Sequence, residues 1–238
     1  MKIELYNDLH LEFYAPLPQF RGGEVLCIAG DMVNWRMRDI GVEVLNRAAE
    51  QYDKVFFVLG NHEFYGGPDF ETVKRFWHHQ ADLAPNAIVL RRGILEYHEG
   101  FLFGGDTLWT DMNPTQQAFM RLFMNDCAVC PELTGERVAK ENKHTWDFLL
   151  AEKPDIVLTH HLPTEVVIAP KWKGKPGNEY FANNYGKAEQ IGAKLWHFGH
   201  THDTIDMVHE NTRYICNPYG YHNVAYNDEF ENFKEVEV

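Results

Sequence analysis

The 238-residue chain has no apolar run approaching the ~18 residues of a membrane-spanning helix. Its N-terminus is broken early by Glu4 and Asp8, too soon for a secretory leader. Cysteine is scarce: Cys27, Cys127, Cys130 and Cys216 do not make a dense disulfide framework. Cys127 and Cys130 are spaced as a pair, but no second pair follows to complete a four-ligand zinc site, so two reduced thiols are expected. Positive charge is also short, with 22 Lys and Arg against 35 Asp and Glu, a formal net charge of −13. Such a surface disfavours broad contact with a nucleic-acid backbone. There is no internal repeat, low-complexity tract or linker. These absences predict a single cytoplasmic domain over residues 1–238, without a membrane partner.

What is present is a series of short apolar runs, each ending in side chains that bind metals. Lys2–Tyr6 leads into Asp8-Leu9-His10, and Glu24–Ala29 into Gly30-Asp31. Lys54–Leu59 leads into Gly60-Asn61-His62-Glu63, Asp155–Leu158 into Thr159-His160-His161, and Lys194–Phe198 into Gly199-His200-Thr201-His202. Strands of an α/β sheet gather ligands outside their carboxyl ends, so this order points to a metal site at one edge. Residues i and i+2 of an extended chain share a side, which lets Asp8 and His10 reach one cation. Asp31 has two oxygens and could bridge two metals. Gly30 before it leaves room for a close approach by a cation or phosphate. Mixed Asp, Asn and His donors suit Mn, Fe, Zn or Co better than Ca. Spacing leaves open which of His160 and His161 is the ligand.

Between the runs the pattern predicts helices over 40–51, 69–83, 115–125 and 135–152. It also predicts hairpins around Glu99-Gly100 and between 204–208 and 212–216, and a closing strand over 228–236. The segment 163–186 is long and rich in Pro and Gly, with no clear periodicity. It carries Lys171, Lys173 and Lys175 and is expected to form part of a substrate rim. Trp109, after Gly104-Gly105-Asp106, could line a cleft or fill the core. His222 is a weaker candidate for a supporting contact, and Glu63 is expected to stabilise its turn. His78, His79, His98, His144, His197 and His209 have no motif context and are expected to be structural.

Together, Asp-x-His, Gly-Asp, Gly-Asn-His-Glu, a later His after a strand, and Gly-His-x-His resemble the motif series of the calcineurin-like metallophosphoesterases. The resemblance spans residues 8–202, and Asn-Pro-Tyr-Gly-Tyr at 217–221 is similar to a C-terminal element of some bacterial members. It implies an α/β fold, a two-sheet β-sandwich flanked by helices, with the active site at the strand C-terminal ends. It assigns Asp8, His10, Asp31 and His202 to one metal and Asp31, Asn61, His160 and His200 to a second. His62 would be the catalytic acid. Two divalent or trivalent transition metals would activate a hydroxide against a small phosphorylated substrate, a phosphodiester or phosphomonoester. Asn7 stands where many relatives have Ser, outside the ligand set, and is expected to matter little. The rival readings are a nuclease or DNA-processing phosphodiesterase, which the acidic balance disfavours, and a non-catalytic metal-binding scaffold, which would be expected to lose ligands.

Overall fold

A computed structural model describes residues 1–130 and 132–238, with side chains given for all of these except 81–83. In chain order its first half contains β1 (Lys2–Tyr6), β2 (Gly23–Ala29), α1 (Arg38–Ala49), β3 (Tyr52–Val58), α2 (Phe70–Leu83) and β4 (Ala87–Val89). Next come β5 (Leu95–His98), β6 (Phe101–Asp106), α3 (Pro114–Phe123), α4 (Asp126–Val129), α5 (Gly135–Glu152) and β7 (Ile156–Thr159). The last part contains α6 (Ala188–Ile191), β8 (Leu195–His197), β9 (Ile205–His209), β10 (Thr212–Cys216), β11 (Gly220–Tyr221), β12 (Ala225–Tyr226) and β13 (Glu235–Glu237).

The strands form two main sheets, in the orders β13-β1-β2-β3-β4 and β5-β6-β7-β8-β10-β9. Within them β1 to β4 run parallel, as do β6, β7, β8 and β10, and the antiparallel members β13, β5 and β9 lie at the edges. Alternation decides what each face meets. Ile3, Leu5, Val25, Cys27, Phe56 and Val58 pack against Phe103, Ile156, Leu158 and Ile215 of the other sheet. The Phe56 and Phe103 rings stack at 4.1 Å across that interface. The opposite faces of β2 and β3, carrying Leu26, Ile28, Val55 and Phe57, join a core with Val44, Leu45 and Ala48 of α1 and Val73 and Trp77 of α2. Trp196 and Tyr214 likewise pack with Trp146 and Leu149 of α5. Burial on both faces explains why these strands read as continuous apolar runs.

The predicted closing strand is shorter than the expected 228–236. Only Glu235–Glu237 is a strand, antiparallel to β1. Upstream, the backbone N–H and C=O of Glu231 are taken by the Asn217 side chain instead of a strand ladder. The segment 163–186 also departs from a structureless loop. It contains short 3-10 turns at Glu165–Val167 and Asn178–Tyr180, and its far end is fixed by Asn183. The buried Asn183 amide donates to the carbonyls of Trp109 and Leu162 and accepts from Asn142 and the Trp146 indole. No helix among the described residues is long and apolar enough to cross a membrane.

Candidate metal centre

Asp8, His10, Asp31, Asn61, His62, His160, His200 and His202 converge just beyond the C-terminal ends of β1, β2, β3, β7 and β8. The Asp31 carboxylate lies at the middle. Its Oδ2 is 3.7 Å from His10 Nε2, 3.3 Å from His160 Nε2 and 3.9 Å from His62 Nε2. Its Oδ1 accepts the backbone N–H of His62 at 2.8 Å. On one side are Asp8, His10 and His202, with His10 Nε2 and His202 Nε2 2.9 Å apart and His202 Nε2 3.5 Å from Asp8 Oδ1. On the other are His160 and His200, with Asn61 Oδ1 2.9 Å from His160 Nε2. Asp8-His10-His202 and Asp31-His160-His200 each bring one ligand atom per residue within 4.8 Å of one another.

The donor set fits cations. With its Nδ1 on Glu12, His10 turns the lone pair of Nε2 toward His202 Nε2 and the Asp8 and Asp31 carboxylates, where a cation could replace the proton the two rings share. Burial, with His161 and His160 close by, holds His200 well below its ordinary pKa, so its ring is neutral. Its buried Nε2 has no hydrogen-bond partner among the described residues. His160 donates from Nδ1 to the Ala29 carbonyl at 2.9 Å, which turns Nε2 toward Asp31 and Asn61. Burial opposes charge on this ring, but Asp31 outweighs it and pushes the pKa up to about 10. A bound cation would take that proton's place.

The same geometry separates the two adjacent histidines. His161 turns away, its Nδ1 3.4 Å from the Thr107 carbonyl, and its ring packs on Trp109 and His200 at 5.0 and 4.2 Å. Burial and the neighbouring His160 push it down to about 3, leaving it a neutral packing residue.

Three glycines let the ligands approach. A Cβ on Gly30 would lie 2.6 Å from His160 Nδ1, and one on Gly199 would lie 2.7 Å from Asp8 Oδ2. A Cβ on Gly60 would collide with the Asp31 carboxylate. The room at Gly30 is thus taken by a histidine ring, not left to a cation or phosphate. The ligand backbones are themselves unusual. Asp8, His10, Asp31, His200 and His202 all have left-handed φ angles, at 51°, 43°, 51°, 72° and 50°. Such values are costly for residues with a Cβ and cluster at functional sites.

Supporting groups complete the centre, and the motif pattern alone pointed to few of them. Glu12, two residues after His10, accepts from His62 Nδ1 at 2.6 Å and His10 Nδ1 at 3.3 Å. Burial works against its charge, but the His10 and His62 bonds prevail and hold it down to about 2. Burial also opposes charge on His62, and the Asp31 and Glu12 carboxylates push it up to about 9. Tyr65 packs on the His62 ring at 4.2 Å, and its hydroxyl accepts from Asn61 Nδ2 at 3.0 Å, which leaves Asn61 Oδ1 facing the centre. Tyr221 lies 4.5 Å from His10 and 4.6 Å from His202, ring to ring. Its signal was present in the Asn-Pro-Tyr-Gly-Tyr stretch, although His222 was the residue singled out there. His222 instead pairs with the Tyr219 hydroxyl at 3.0 Å.

Asn7 does more than expected. It is fully buried, donates to Asp8 Oδ2 at 2.6 Å, and accepts the Asn217 N–H at 2.8 Å. Its Oδ1 also lies 3.1 Å from Nε2 of His197, which this fixes as a structural residue. Glu63 stabilises its turn through four backbone donors: Met32 and Val33 on one oxygen, Asp31 and Gly60 on the other.

The remaining substrate candidates divide. Trp109 is only 3% exposed and belongs to the core, packed on Phe64 at 5.8 Å. Lys171 pairs with Asp203 at 2.5 Å, and Lys173 is exposed along a different cleft with Glu165 and Asn184. Lys175 lines a cavity beside the centre. Cys127 and Cys130 are free and buried and belong to neither donor group.

A mixed α/β pair of sheets with Asp, Asn and His gathered at its strand ends defines a metallophosphoesterase-like fold. Residues 1–204 match the family model for calcineurin-like phosphoesterases, and the chain belongs to that family. It is 25% identical over 220 residues to an uncharacterized protein of Acanthamoeba polyphaga mimivirus, covering 82% of this chain and 78% of that one. The fold is similar to that of a phosphopantetheinyl hydrolase from Mycobacterium tuberculosis, with a TM-score of 0.65 and 14% identity. That likeness covers 95% of this chain and 93% of the other. Membership supports metal-dependent phosphoesterase activity in general.

Proposed function

We propose that the protein hydrolyses a small phosphate ester, monoester or diester, using two transition-metal cations drawn from Mn, Fe, Zn or Co. The observation that carries this reading is the Asp31 carboxylate, whose Oδ2 stands within 3.7 Å of His10 and 3.3 Å of His160, one from each donor group. Asp8, His10, Asp31 and His202 would hold one cation, and Asp31, Asn61, His160 and His200 the other. Bound there, the cations would polarise phosphoryl oxygens and acidify water.

The chain's own groups do the rest. His62 is held by Glu12 through Nδ1, so a proton on Nε2 is presented toward the shared carboxylate and the space in front of it. Against burial, the Asp31 and Glu12 carboxylates push the His62 pKa up to about 9, and with cations on Asp31 the Glu12 bond would remain to favour the charged ring, which suits stabilising negative charge on phosphoryl oxygens or protonating a leaving alkoxide. Asn7 and the His200 N–H fix Asp8, while Glu63 fixes the loop that carries Asp31.

The test is hydrolysis of bis(p-nitrophenyl) phosphate and p-nitrophenyl phosphate by metal-stripped protein, with Mn, Fe, Zn, Co or Mg restored singly. His62→Ala should lose about 10²–10⁴-fold in rate while keeping its metals. Loss of metal from that variant would make His62 a ligand instead. Full activity with two bound metals in Asp31→Asn would refute the bridging role.

A further inference from the structure

Next to the metal centre lies a cavity of about 510 Å³, walled by Leu162, Ile168, Trp172, Phe181, Thr201 and Lys175, among others. Its closeness to the donors follows from the chain. Thr201 sits between His200 and His202, Leu162 follows His161, and the Phe181 ring is 4.8 Å from the His200 ring. A group esterified to a phosphate at the centre would have this cavity beside it.

Apart from Lys175, the side-chain donors of the wall are already engaged. The Trp172 indole N–H donates to Asp203 at 2.8 Å, and the Thr201 hydroxyl donates to the same carboxylate at 3.5 Å. Asn178 spends its amide on the Trp172 carbonyl at 2.8 Å. What the wall offers is therefore largely carbon and aromatic surface, plus one positive charge, the Lys175 ammonium 4.6 Å from the Trp172 ring centre. A hydroxyl-rich group entering such a space would lose more hydrogen bonds to water than these few groups could replace. A fixed cation would meet the lysine.

The walls are also held in place. Asp203, directly after His202, takes both Trp172 and Lys171, and Asn183 anchors the far end of the segment. A cavity fixed in this way is ready to select by shape before its ligand arrives.

We infer that this cavity receives the organic group of the ester, and that the group is aromatic and otherwise apolar, neutral or anionic but not cationic. The inference rests on the phosphoesterase reading. It is tested with non-hydrolysable phosphonates, whose binding to the metal-loaded protein is measured by calorimetry. Phenylphosphonate should bind about 10- to 30-fold more tightly than methylphosphonate, from the extra apolar surface buried. Phe181→Ala and Ile168→Ala should each reduce that ratio to about 3 or less, and Ile168→Ala, which lies off the donor groups, should leave methylphosphonate binding unchanged, a control that also reports intact folding and metals.

Equal affinity of the two phosphonates for the unaltered protein, or a preference surviving both substitutions, would overturn the assignment. Tighter binding of 2-(trimethylammonio)ethylphosphonate than of phenylphosphonate would overturn the exclusion of cations. If neither methylphosphonate nor inorganic phosphate bound the metal-loaded protein, the phosphoester reading itself would fall, and this inference with it.

Discussion

Replacing Glu63 by Gln changes no volume and removes one acceptor oxygen, yet it should damage the protein. The Glu63 carboxylate accepts the N–H of Met32 at 2.8 Å and Val33 at 3.2 Å on Oε1, and of Gly60 at 2.6 Å and Asp31 at 3.1 Å on Oε2. In Gln the amide nitrogen must stand in for one oxygen, so two buried N–H groups face N–H donors. Leaving a buried donor unsatisfied costs about 1–3 kcal/mol, so two amount to about 2–6 kcal/mol. Only an ionised Glu63 can accept on both oxygens at once. Burial and the Asp31 charge push its carboxyl up to about 8, against the pull of the amide donors. Both oxygens are already occupied as acceptors of two N–H bonds each, so a carboxyl proton would find no acceptor, and a cation on Asp31 would remove the repulsion. Urea unfolding of metal-loaded Glu63→Gln at neutral pH should show the loss, with weaker metal retention by elemental analysis because Asp31 is displaced. A variant within about 0.5 kcal/mol of the parent, with unchanged metal content, would mean that Glu63 is neutral and the four-donor account is wrong.

Asn183→Ala should cost about 3–5 kcal/mol, since it strips the acceptor from Trp146 and Asn142 and the donor from two carbonyls. It should also open the Lys171–Lys175 stretch to trypsin, whereas unchanged proteolysis would refute its anchoring role. Burial, with Arg91 and Lys74 nearby, pushes His78 down to about 3, well below the 6.5 of a free histidine. The unfolded chain then takes up a proton that the fold refuses, so stability falls as pH drops from about 6.5 toward about 3. His78→Gln should flatten that slope by about 1–2 kcal/mol at pH 4, discounted for its partial exposure, in urea titrations read at pH 7 and 4. Chelating the metals should lower the melting temperature. At a metal concentration 100 times its dissociation constant the linkage is about 2.7 kcal/mol, or about 5–11 °C for a chain of this size. No change on chelation and reloading would argue against the donor groups as a metal site.

The strand ends and the candidate donor side chains that gather there could be read because both obey short-range rules. A doubly buried strand reads as an apolar run, and Asp, Asn and His at its end are side chains able to bind a metal. The partition of those strands into two sheets could be named only through the resemblance, since apolar runs do not say which neighbour they pair with. Glu12, Tyr65 and Tyr221 were missed for a different reason. Each acts through a contact with a histidine or asparagine that is meaningful only once the loops are folded, and only Tyr221 lies in a recognisable motif, which does not itself say which of its residues reaches the centre. Trp109 was open between cleft and core because an indole suits both, and tertiary packing decided. The segment 163–186 looked structureless because its order comes from Asn183, Asp203 and isolated turns, not from a repeating pattern.

The left-handed backbones at Asp8, His10, Asp31, His200 and His202 have a consequence for how this sequence can change over time. Each is a position where glycine would relax the backbone by about 1 kcal/mol, so selection for stability alone pulls these five sites toward glycine. Selection for metal binding would oppose that pull, alongside the hydrogen bonds that Asp8 and Asp31 accept from Asn7 and from the His200 and His62 N–H groups. A lineage released from that demand should lose its ligands first at these positions, to glycine or asparagine, while His160 and Asn61 persist longer. The pattern of loss among silent relatives would then record which side chains were kept for chemistry and which for the fold.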